Sequence, residues 1–396
     1  MLTYEEGIAR IDRFLAAHLN GAAELADRIH AHPELGEQEF ETSRLLAERL
    51  REGGFQVEAP TCGLPTAFQG VARHGSGPVV ALLTEMDALP EIGHACGHNL
   101  HGVMSVLAGL ALKECLPDLE GQIRVVGTPA EETNGAKVSM AAAGIFDDCD
   151  LALMIHCNAG ESFVDYRSLA MDSVEFTFTG KPAHAAGSPW EGLNALNGVQ
   201  LLFHGVDMLR QHVRPEARMH GIISAGGVAP NIVPETAQAR FYFRAPWRPY
   251  LNQLMEKVYD CARGAALATG TQVTWRNNEA SFDDMLPNPT AENLIGGILV
   301  DLGVSLVPGP GPMGSTDVGN VSYRCPALQP ELAITPERMS LHTREFEAAL
   351  LLPEAHRMLG VGAQALARTC LKVFLDPELR ASLRRDFEAQ KNKMPR

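Results

Sequence analysis

The first 156 residues alternate short apolar runs with longer amphipathic segments, and this alternation limits the folds open to the chain. The apolar runs at 78–85, 122–128 and 151–156 have the length and composition of strands that are buried on both faces. Helical patterns precede and separate them, at 8–35, 42–52, 101–114 (with Asn99 as the expected N-cap) and 133–143. This order predicts an α/β fold with a mostly parallel sheet and helices on both faces.

Residues 169–283 have a different pattern, in which strands alternate as half-exposed strands do. The expected elements are strand 173–179, helix 190–210, strands 220–225 and 237–244, helix 250–267 and strand 271–276. This β-α-β-β-α-β order is typical of an α+β, ferredoxin-like domain. The α/β pattern returns after residue 285, with helices at 291–302 and 353–374 and a peripheral helix after 376. We therefore predict a discontinuous catalytic domain, 1–168 with 284–396, into which a smaller domain, 169–283, is inserted.

Charge and composition narrow the possible partners. The chain has 33 Lys and Arg against 48 Asp and Glu, a net charge of −15. Nucleic acids and anionic membranes require clustered basic residues, so neither is expected as a partner. Apolar runs long enough to span a membrane are not expected, and residues 1–19 mix charges with apolar residues as an amphipathic helix does. We expect a cytoplasmic protein that acts on a small molecule.

The densest chemical cluster follows the apolar run at 78–85. Residues 85–101 contain three histidines, one cysteine and three carboxylates. Cys96 and His98 are two residues apart on a glycine-containing loop and both suit a borderline-soft divalent metal. The alternative is a polar loop with a buried thiol. The other seven cysteines form no CxxC pair and are expected to be small buried residues.

Two further strand ends carry polar side chains. Glu131 and Glu132 follow the run at 122–128, and His156 ends the run at 151–156. Of two adjacent carboxylates, one can bind a metal while the other acts as a general base. Taken alone, the glutamate pair is typical of an acidic helix start, and the histidine is typical of a packed core residue. Their repeated placement at strand ends favours a shared site, to which His342 would be a contribution from the C-terminal half.

Seven motifs occur in order along nearly the whole chain: HPELGEQEFETS (32–43), MDALPEIGHACGHNLHG (86–102), GTPAEE (127–132), GKPAHAA (180–186), GGVAPNIVP (226–234), GSTDVGNVSY (314–323) and HTREF (342–346). With these motifs the chain resembles the dinuclear metallopeptidase family of aminoacylase, carnosinase and glutamate carboxypeptidase. It is most similar to the amidohydrolase branch with the HACGH motif, and there to p-aminobenzoyl-glutamate hydrolases and β-alanyl-lysine dipeptidase-like members. In fold, the resemblance implies a phosphorylase/hydrolase-like catalytic domain.

The resemblance also implies residue roles. Metal ligands would be Cys96, His98, Glu132, His156 and His342. Glu131 would be the general base, His184 would polarise the scissile carbonyl, and Asn231 would contact the substrate. Cys96 stands where other branches use a bridging aspartate, so its thiolate is expected to bridge two metals. Glu85 stands where the classical branches have the histidine of an HxD motif. The amidohydrolase branch commonly has a carboxylate there, so Glu85 is left out of the ligand set.

Other roles rest on the residues themselves. Asp87 suits the orientation of a ligand histidine. Arg244 is a candidate for holding a substrate carboxylate, although a salt bridge at a strand end is an equal alternative. Backbone N–H groups at Gly314 and Ser315 are suited to the same carboxylate, with a tight turn as the alternative.

The expected activity is hydrolysis of an amide bond in N-acyl amino acids, aminobenzoyl-glutamate-like conjugates or short dipeptides that carry a free carboxylate. Two divalent ions per subunit (zinc, manganese or cobalt) would activate a water, and Glu131 would take its proton. The inserted domain would act as a lid and as the interface of a homodimer.

Two rival functions use the same residues. One is a cysteine amidase with Cys96 as the nucleophile and His98 or His94 as the base. It leaves Glu132, His156 and His342 without a role. The other is a non-catalytic, metal-binding regulatory protein on the same scaffold, and the presence of a candidate base beside the ligands argues against it.

Overall fold

A computed structural model of the chain describes residues 2–393, so Met1 and residues 394–396 of the predicted catalytic domain lie outside the described part. The helices are α1 (Tyr4–His30), α2 (Phe40–Glu52), α3 (His98–Lys113), α4 (Ala136–Ala142), α5 (Ala195–Leu209), α6 (Arg248–Thr269), α7 (Pro289–Asp301), α8 (Val318–Ser322), α9 (Arg344–Ala349), α10 (Pro353–Leu375) and α11 (Pro377–Lys393). The strands are β1 (Gln56–Glu58), β2 (Phe68–His74), β3 (Val79–Glu85), β4 (Gly121–Thr128), β5 (Leu151–Leu153), β6 (His156–Asn158), β7 (Ala170–Thr179), β8 (Arg218–Ala225), β9 (Thr236–Ala245), β10 (Gln272–Asn277), β11 (Ala327–Leu328) and β12 (Glu331–Ala333).

The chain divides into two compact units. One contains the residues up to Arg167 together with Met285–Lys393, and the other contains Ser168–Asp284. We refer to them as the large unit and the small unit.

The large unit is built on a six-stranded sheet of order β1-β2-β4-β3-β5-β11. Strands β4, β3, β5 and β11 are parallel, and the antiparallel strands β2 and β1 form one edge. Both faces are covered: Val80 and Leu82 of β3 join one apolar cluster, and Ala81 and Leu83 join another on the opposite face. The predicted mostly parallel sheet is confirmed.

Helix α10 is long and apolar enough to cross a membrane by length and composition. It lies against α3 and α1, and 72% of its most apolar 18-residue window is buried inside the large unit. Its apolar residues are therefore accounted for by the protein core.

The small unit has a four-stranded antiparallel sheet of order β10-β7-β9-β8. Helices α5 and α6 pack against each other and against β7 and β9. The element order and the strand order are those of a ferredoxin-like domain, so this prediction is also confirmed.

Two predicted elements, a strand and a helix, have different bounds in the structure. The strand predicted at 151–156 is divided into β5 in the main sheet and β6, which pairs with β12. Pro330 lies between β11 and β12 and has no N–H to continue the ladder, which explains the division. The helix predicted to reach residue 35 ends at His30, because a residue before proline, here His32, disfavours the helical conformation.

Helix starts also differ from prediction. Asn99 is not the N-cap of α3 but its second residue, because the helix begins at His98. The N-cap is Gly97, which is in the left-handed conformation (φ +84°). A side chain at Gly97 would bring its Cβ within 2.7 Å of the Cys157 side chain, so the close approach requires glycine. The helix predicted from 190 begins at Ala195, where the Asn194 side chain accepts hydrogen bonds from the first-turn N–H groups.

Candidate metal centre

The sheet brings two chemically active segments to one edge. Strands β3 and β4 are parallel, so Glu85 at the end of β3 pairs in register with Thr128 at the end of β4. The loop with Cys96 follows β3, and Glu131 and Glu132 follow β4. The same edge is therefore supplied by segments that are distant in sequence.

The five predicted metal ligands form one connected cluster in the large unit. Ligand atoms of Cys96, His98 and Glu132 lie within 4.8 Å of one another. Cys96 Sγ is 3.4 Å from His156 Nε2, and Glu132 Oε1 is 3.1 Å from His342 Nε2. The cluster thus contains a thiol, a carboxylate and three imidazoles.

His342 reaches the cluster through an unusual backbone conformation. Its φ is +62°, which is uncommon for a residue with a side chain. Its backbone N–H donates a 2.8 Å hydrogen bond to the carbonyl of Ala95, directly before Cys96. This bond ties the C-terminal half of the chain to the cysteine loop.

Asp87 orients two members of the cluster. One carboxylate oxygen lies 2.9 Å from His98 Nδ1, and the other accepts a 2.9 Å hydrogen bond from the backbone N–H of Glu132. With Nδ1 engaged, His98 Nε2 makes no hydrogen bond to the described residues, and Glu85 Oε2 lies 3.4 Å from it. Burial alone would lower the pKa of His98, but Asp87 and Glu85 raise it to about 10. This arrangement is typical of a ligand histidine held by a carboxylate.

The two adjacent glutamates have different electrostatic environments. Burial, and then the charges of Glu85, Glu132 and Asp317, raise the pKa of Glu131 well above its usual value. Burial also acts to raise the pKa of Glu132, but the hydrogen bond from His342 and the charge of His98 outweigh it and lower the pKa to about 2. Environments that separate two carboxyl pKa values are typical of residues with different roles.

A buried lysine pairs with two carboxylates beside the cluster, and the sequence motifs did not indicate it. Lys137 Nζ is 2.6 Å from Glu85 Oε1 and 2.5 Å from Asp317 Oδ1, and all three side chains are almost fully buried. The available signal for a buried lysine was its position in α4, a helix whose other residues are small or apolar.

Two further residues support the cluster: His101 bonds to Glu85 beside it, and Glu331 bonds to His156. His101 Nε2 lies 2.9 Å from Glu85 Oε2, and His101 Nδ1 accepts the backbone N–H of Cys157 at 3.2 Å. Both nitrogens of His101 are therefore engaged, which leaves it a supporting residue. Glu331 Oε2 is 3.2 Å from His156 Nδ1, so Nε2 of that ring faces Cys96.

The donor set fits divalent metal ions. Thiolate and imidazole suit a borderline-soft ion such as zinc, and carboxylate and imidazole together also suit manganese. The buried Nε2 of His98, with Nδ1 held by Asp87, is a donor atom that a metal would satisfy. Burial and the neighbouring Glu132 and Glu131 raise the pKa of the Cys96 thiol well above its usual value. A bound cation would reverse this effect by stabilising the thiolate.

A cavity of about 540 Å³ opens above the cluster, within the large unit. Its lining includes Gly314 and Ser315, the two predicted substrate-binding residues of the glycine-proline loop. The remaining lining consists of Cys96, Glu131, Glu132, His156, Asn158, Ala159, Glu161, Phe163, Tyr166, Pro308, Pro310, Met313, Thr316, Gln329, Glu331, Arg338, Leu341 and His342. The volume is in the range of small-molecule sites.

Three predicted site residues lie in the small unit. His184 is exposed, and its Nδ1 accepts hydrogen bonds from the backbone N–H groups of Ala186 and Gly187. The segment of His184 pairs with that of Asn231, whose carbonyl accepts the N–H of Ala185 at 3.0 Å. Arg244 is half-buried on β9, with its guanidinium 5.7 Å from the centre of the Tyr242 ring.

The chain is similar to known proteins over most of its length. The family model for peptidase family M20/M25/M40 matches residues 81–347, more than half of the chain. The Xaa-Arg dipeptidase of Mus musculus is 36% identical over 96% of this chain and 93% of its own length. A second relative, from Escherichia coli (strain K12), is one of the subunits of p-aminobenzoyl-glutamate hydrolase. It is 36% identical over 72% of this chain and 63% of its own length.

A solved structure shares the fold. It is a Bacillus subtilis dinuclear metal-binding peptidase of the M20 family, with a TM-score of 0.67 at 20% identity. The alignment covers 91% of this chain and 99% of the other. The chain belongs to peptidase family M20/M25/M40, and its predicted class, a hydrolase of C–N bonds, is confirmed.

Proposed function

We propose that the cluster holds two divalent metal ions, zinc, manganese or cobalt, through Cys96, His98, Glu132, His156 and His342. The observation that carries the proposal is the convergence of Cys96, His98 and Glu132 within 4.8 Å beneath the 540 Å³ cavity. The dinuclear metal-binding relative from Bacillus subtilis supports the number of ions.

Glu131 is the proposed general base for amide hydrolysis. Bound divalent ions would supply Lewis-acid activation of water and of the scissile carbonyl. Glu131 accepts one proton from the attacking water at a carboxylate oxygen and returns it to the nitrogen of the leaving amine. His184 donates a hydrogen bond to the carbonyl oxygen as negative charge develops there. One water is consumed, and a carboxylic acid and an amine are released.

The proposed substrates are N-acyl amino acids, aminobenzoyl-glutamate-like conjugates and short dipeptides, each with a free carboxylate. The names of the relatives support this range: one is a dipeptidase, another belongs to a p-aminobenzoyl-glutamate hydrolase and a third is an N-acetyl-L-cysteine deacetylase. Arg244 and the backbone N–H groups of Gly314 and Ser315 are proposed to bind the carboxylate. Asn231 is proposed to contact the substrate.

The small unit is proposed to act as a lid and to form a homodimer. Strand β8 is the last strand of its sheet, and Ile222 and Ile223 on it are exposed. An exposed apolar edge strand is suited to pairing with a second copy. We propose a cytoplasmic enzyme without nucleic-acid or membrane partners, as the net charge of −15 supports.

Substitution of Glu131 by Gln tests the base directly. The amide cannot take up a proton, so kcat for a p-aminobenzoyl-glutamate or dipeptide substrate should fall by about 10²–10⁴-fold. The metal content, measured by elemental analysis, should stay at the wild-type value because Glu131 is not a ligand.

The matched control is Glu132→Gln, which should lose both turnover and metal. Full turnover of a metal-replete Glu131→Gln protein would refute the assignment of the base.

A cysteine amidase has one observation in its favour, the 3.4 Å distance between Cys96 Sγ and His156 Nε2. This imidazole belongs to His156, whereas the predicted bases were His98 and His94. Burial and the carboxylates beside Cys96 disfavour its thiolate, whereas reactive cysteines lie in electropositive surroundings. Thiol alkylation that abolishes turnover, with no dependence on metal, would favour this alternative.

A further inference from the structure

The HPELGEQEFETS segment, residues 32–43, has no role in the proposed chemistry, yet it contacts the loops that provide the site. The carbonyl of Glu34 accepts a 2.8 Å hydrogen bond from Ala88, at the start of the cysteine loop. The carboxylate of Glu34 accepts the N–H groups of Glu41 and Thr42 at 3.0 and 2.8 Å and so caps α2. The cap is therefore supplied by Glu34, although Glu39 occupies the N-cap position.

The Glu39 carboxylate bonds elsewhere. The residue is completely buried, with 0% of its surface exposed. Its Oε1 accepts a 2.7 Å hydrogen bond from the backbone N–H of Ala130, and its Oε2 accepts the Thr66 hydroxyl at 2.9 Å. Burial of a carboxyl group is unfavourable unless its bonds are satisfied, so this side chain is committed to these two partners.

Ala130 adopts a left-handed backbone conformation with φ +59°, which residues other than glycine rarely adopt. It lies between the end of β4 and the Glu131–Glu132 pair, at the point where the chain turns away from the sheet. Its carbonyl accepts a 2.7 Å hydrogen bond from Gly135, which closes the turn. The conformation of this residue therefore sets the direction of the two glutamates that follow it.

The segment also packs tightly on this turn. A Cβ built at Gly36 would lie 3.1 Å from Ala130 Cα and would clash with Thr133 Oγ1. Glycine at position 36 thus lets the segment approach the Ala130 backbone, close enough for Glu39 to reach its N–H.

We propose that Glu39 is a positioning residue that holds Ala130 in the left-handed conformation and thereby aims Glu131 and Glu132 into the cavity. The inference rests on the proposed function, because it assumes that Glu132 binds metal. Glu39 does not line the cavity, so its effect passes through the Ala130 backbone.

The test is Zn²⁺ binding to metal-free full-length protein, measured by calorimetry. Glu39→Ala should weaken binding of at least one Zn²⁺ ion by tenfold or more. Glu39→Gln keeps an oxygen that accepts the Ala130 N–H, so its affinity should stay within about threefold of wild type. Adding Ala130→Gly to Glu39→Ala should recover most of the loss, because glycine adopts positive φ without steric cost.

Glu37→Ala is the matched control. Glu37 belongs to the same segment and bonds to the Asn134 side chain at the surface, so its substitution should leave Zn²⁺ affinity unchanged. If Glu39→Ala does not fold, as judged by circular dichroism, Thr66→Val replaces it and should produce a smaller loss of affinity in the same direction.

The outcomes separate the two proposals. The positioning role is overturned if Glu39→Ala or Thr66→Val binds Zn²⁺ with wild-type affinity. It is also overturned if adding Ala130→Gly recovers none of the affinity lost in Glu39→Ala. In either case the proposed metal site stands. Absence of Zn²⁺ binding by the wild-type protein overturns the proposed function and, with it, this inference.

Discussion

At the residue scale, the protonation of the buried Glu39 carboxyl group is linked to the stability of the fold. Burial, opposed by hydrogen bonds and reinforced by the charge of Asp87, raises the pKa of Glu39 from its usual 4.5 to about 7. A carboxyl group whose pKa is higher in the folded state binds its proton more tightly there. Its stabilising contribution is therefore complete below pH 4.5 and is lost as pH rises through 7.

This linkage predicts a pH-dependent difference between wild type and Glu39→Gln, both metal-free. A pKa change of this size corresponds to about 3 kcal/mol. The free energy of unfolding of the wild type, relative to the variant, should fall by roughly that amount between pH 4.5 and pH 8. Urea denaturation across this range measures it.

Comparison with the variant isolates Glu39, because other groups also titrate. The raised pKa of His98 lowers stability as pH rises from 6.5 towards 10, and the lowered pKa of His94, mainly from burial, lowers stability as pH falls below 6.5. A wild-type-minus-variant difference that is flat with pH would contradict the assigned environment of Glu39.

Residue patterns indicated that Cys96, Glu131, Glu132 and His156 would lie at one edge of the sheet, because they follow consecutive strands, and all four line the cavity. They did not predict the groups that pair with them. Lys137 and Asp317 are 180 positions apart, and His156 and Glu331 are 175 apart. Nothing local in the sequence specifies such contacts, because they depend on how the C-terminal half packs against the sheet.

At the scale of elements, apolar periodicity located the buried strands and the long helices. It missed β1 and β2, which are short or partly exposed at the edge of the main sheet. It also predicted β5 and β6 as one strand, because the interruption comes from Pro330, which lies between the neighbouring strands β11 and β12. The type of each element thus followed from the local sequence pattern, whereas its bounds depended on the neighbouring strands with which it pairs.

Strand β8 gives a prediction at this scale. Lysine at both Ile222 and Ile223 should convert the proposed dimer to a monomer, because charges on an edge strand oppose pairing between copies. Light scattering coupled to size-exclusion chromatography reports the molar mass.

Leu352→Lys is the control, since this residue is similarly exposed, at 48%, in the large unit. A wild-type protein that is already monomeric, or a dimer that survives both lysines, would argue against an interface on β8.

At the scale of the whole molecule, the large unit combines two segments of the chain that are separated in sequence by the small unit. Cys96, His98, Glu132 and His156 precede the insertion, and His342 follows it. The cavity lining likewise comes from both parts. A complete site therefore requires that the two parts of the large unit fold together.

The most direct test of the central claim is a chelator titration that follows metal content and turnover in the same samples. We predict two divalent ions per chain, loss of hydrolysis of p-aminobenzoyl-glutamate or dipeptide substrates in step with loss of metal, and recovery on adding zinc, manganese or cobalt. Full turnover by protein from which all metal has been removed would contradict the account.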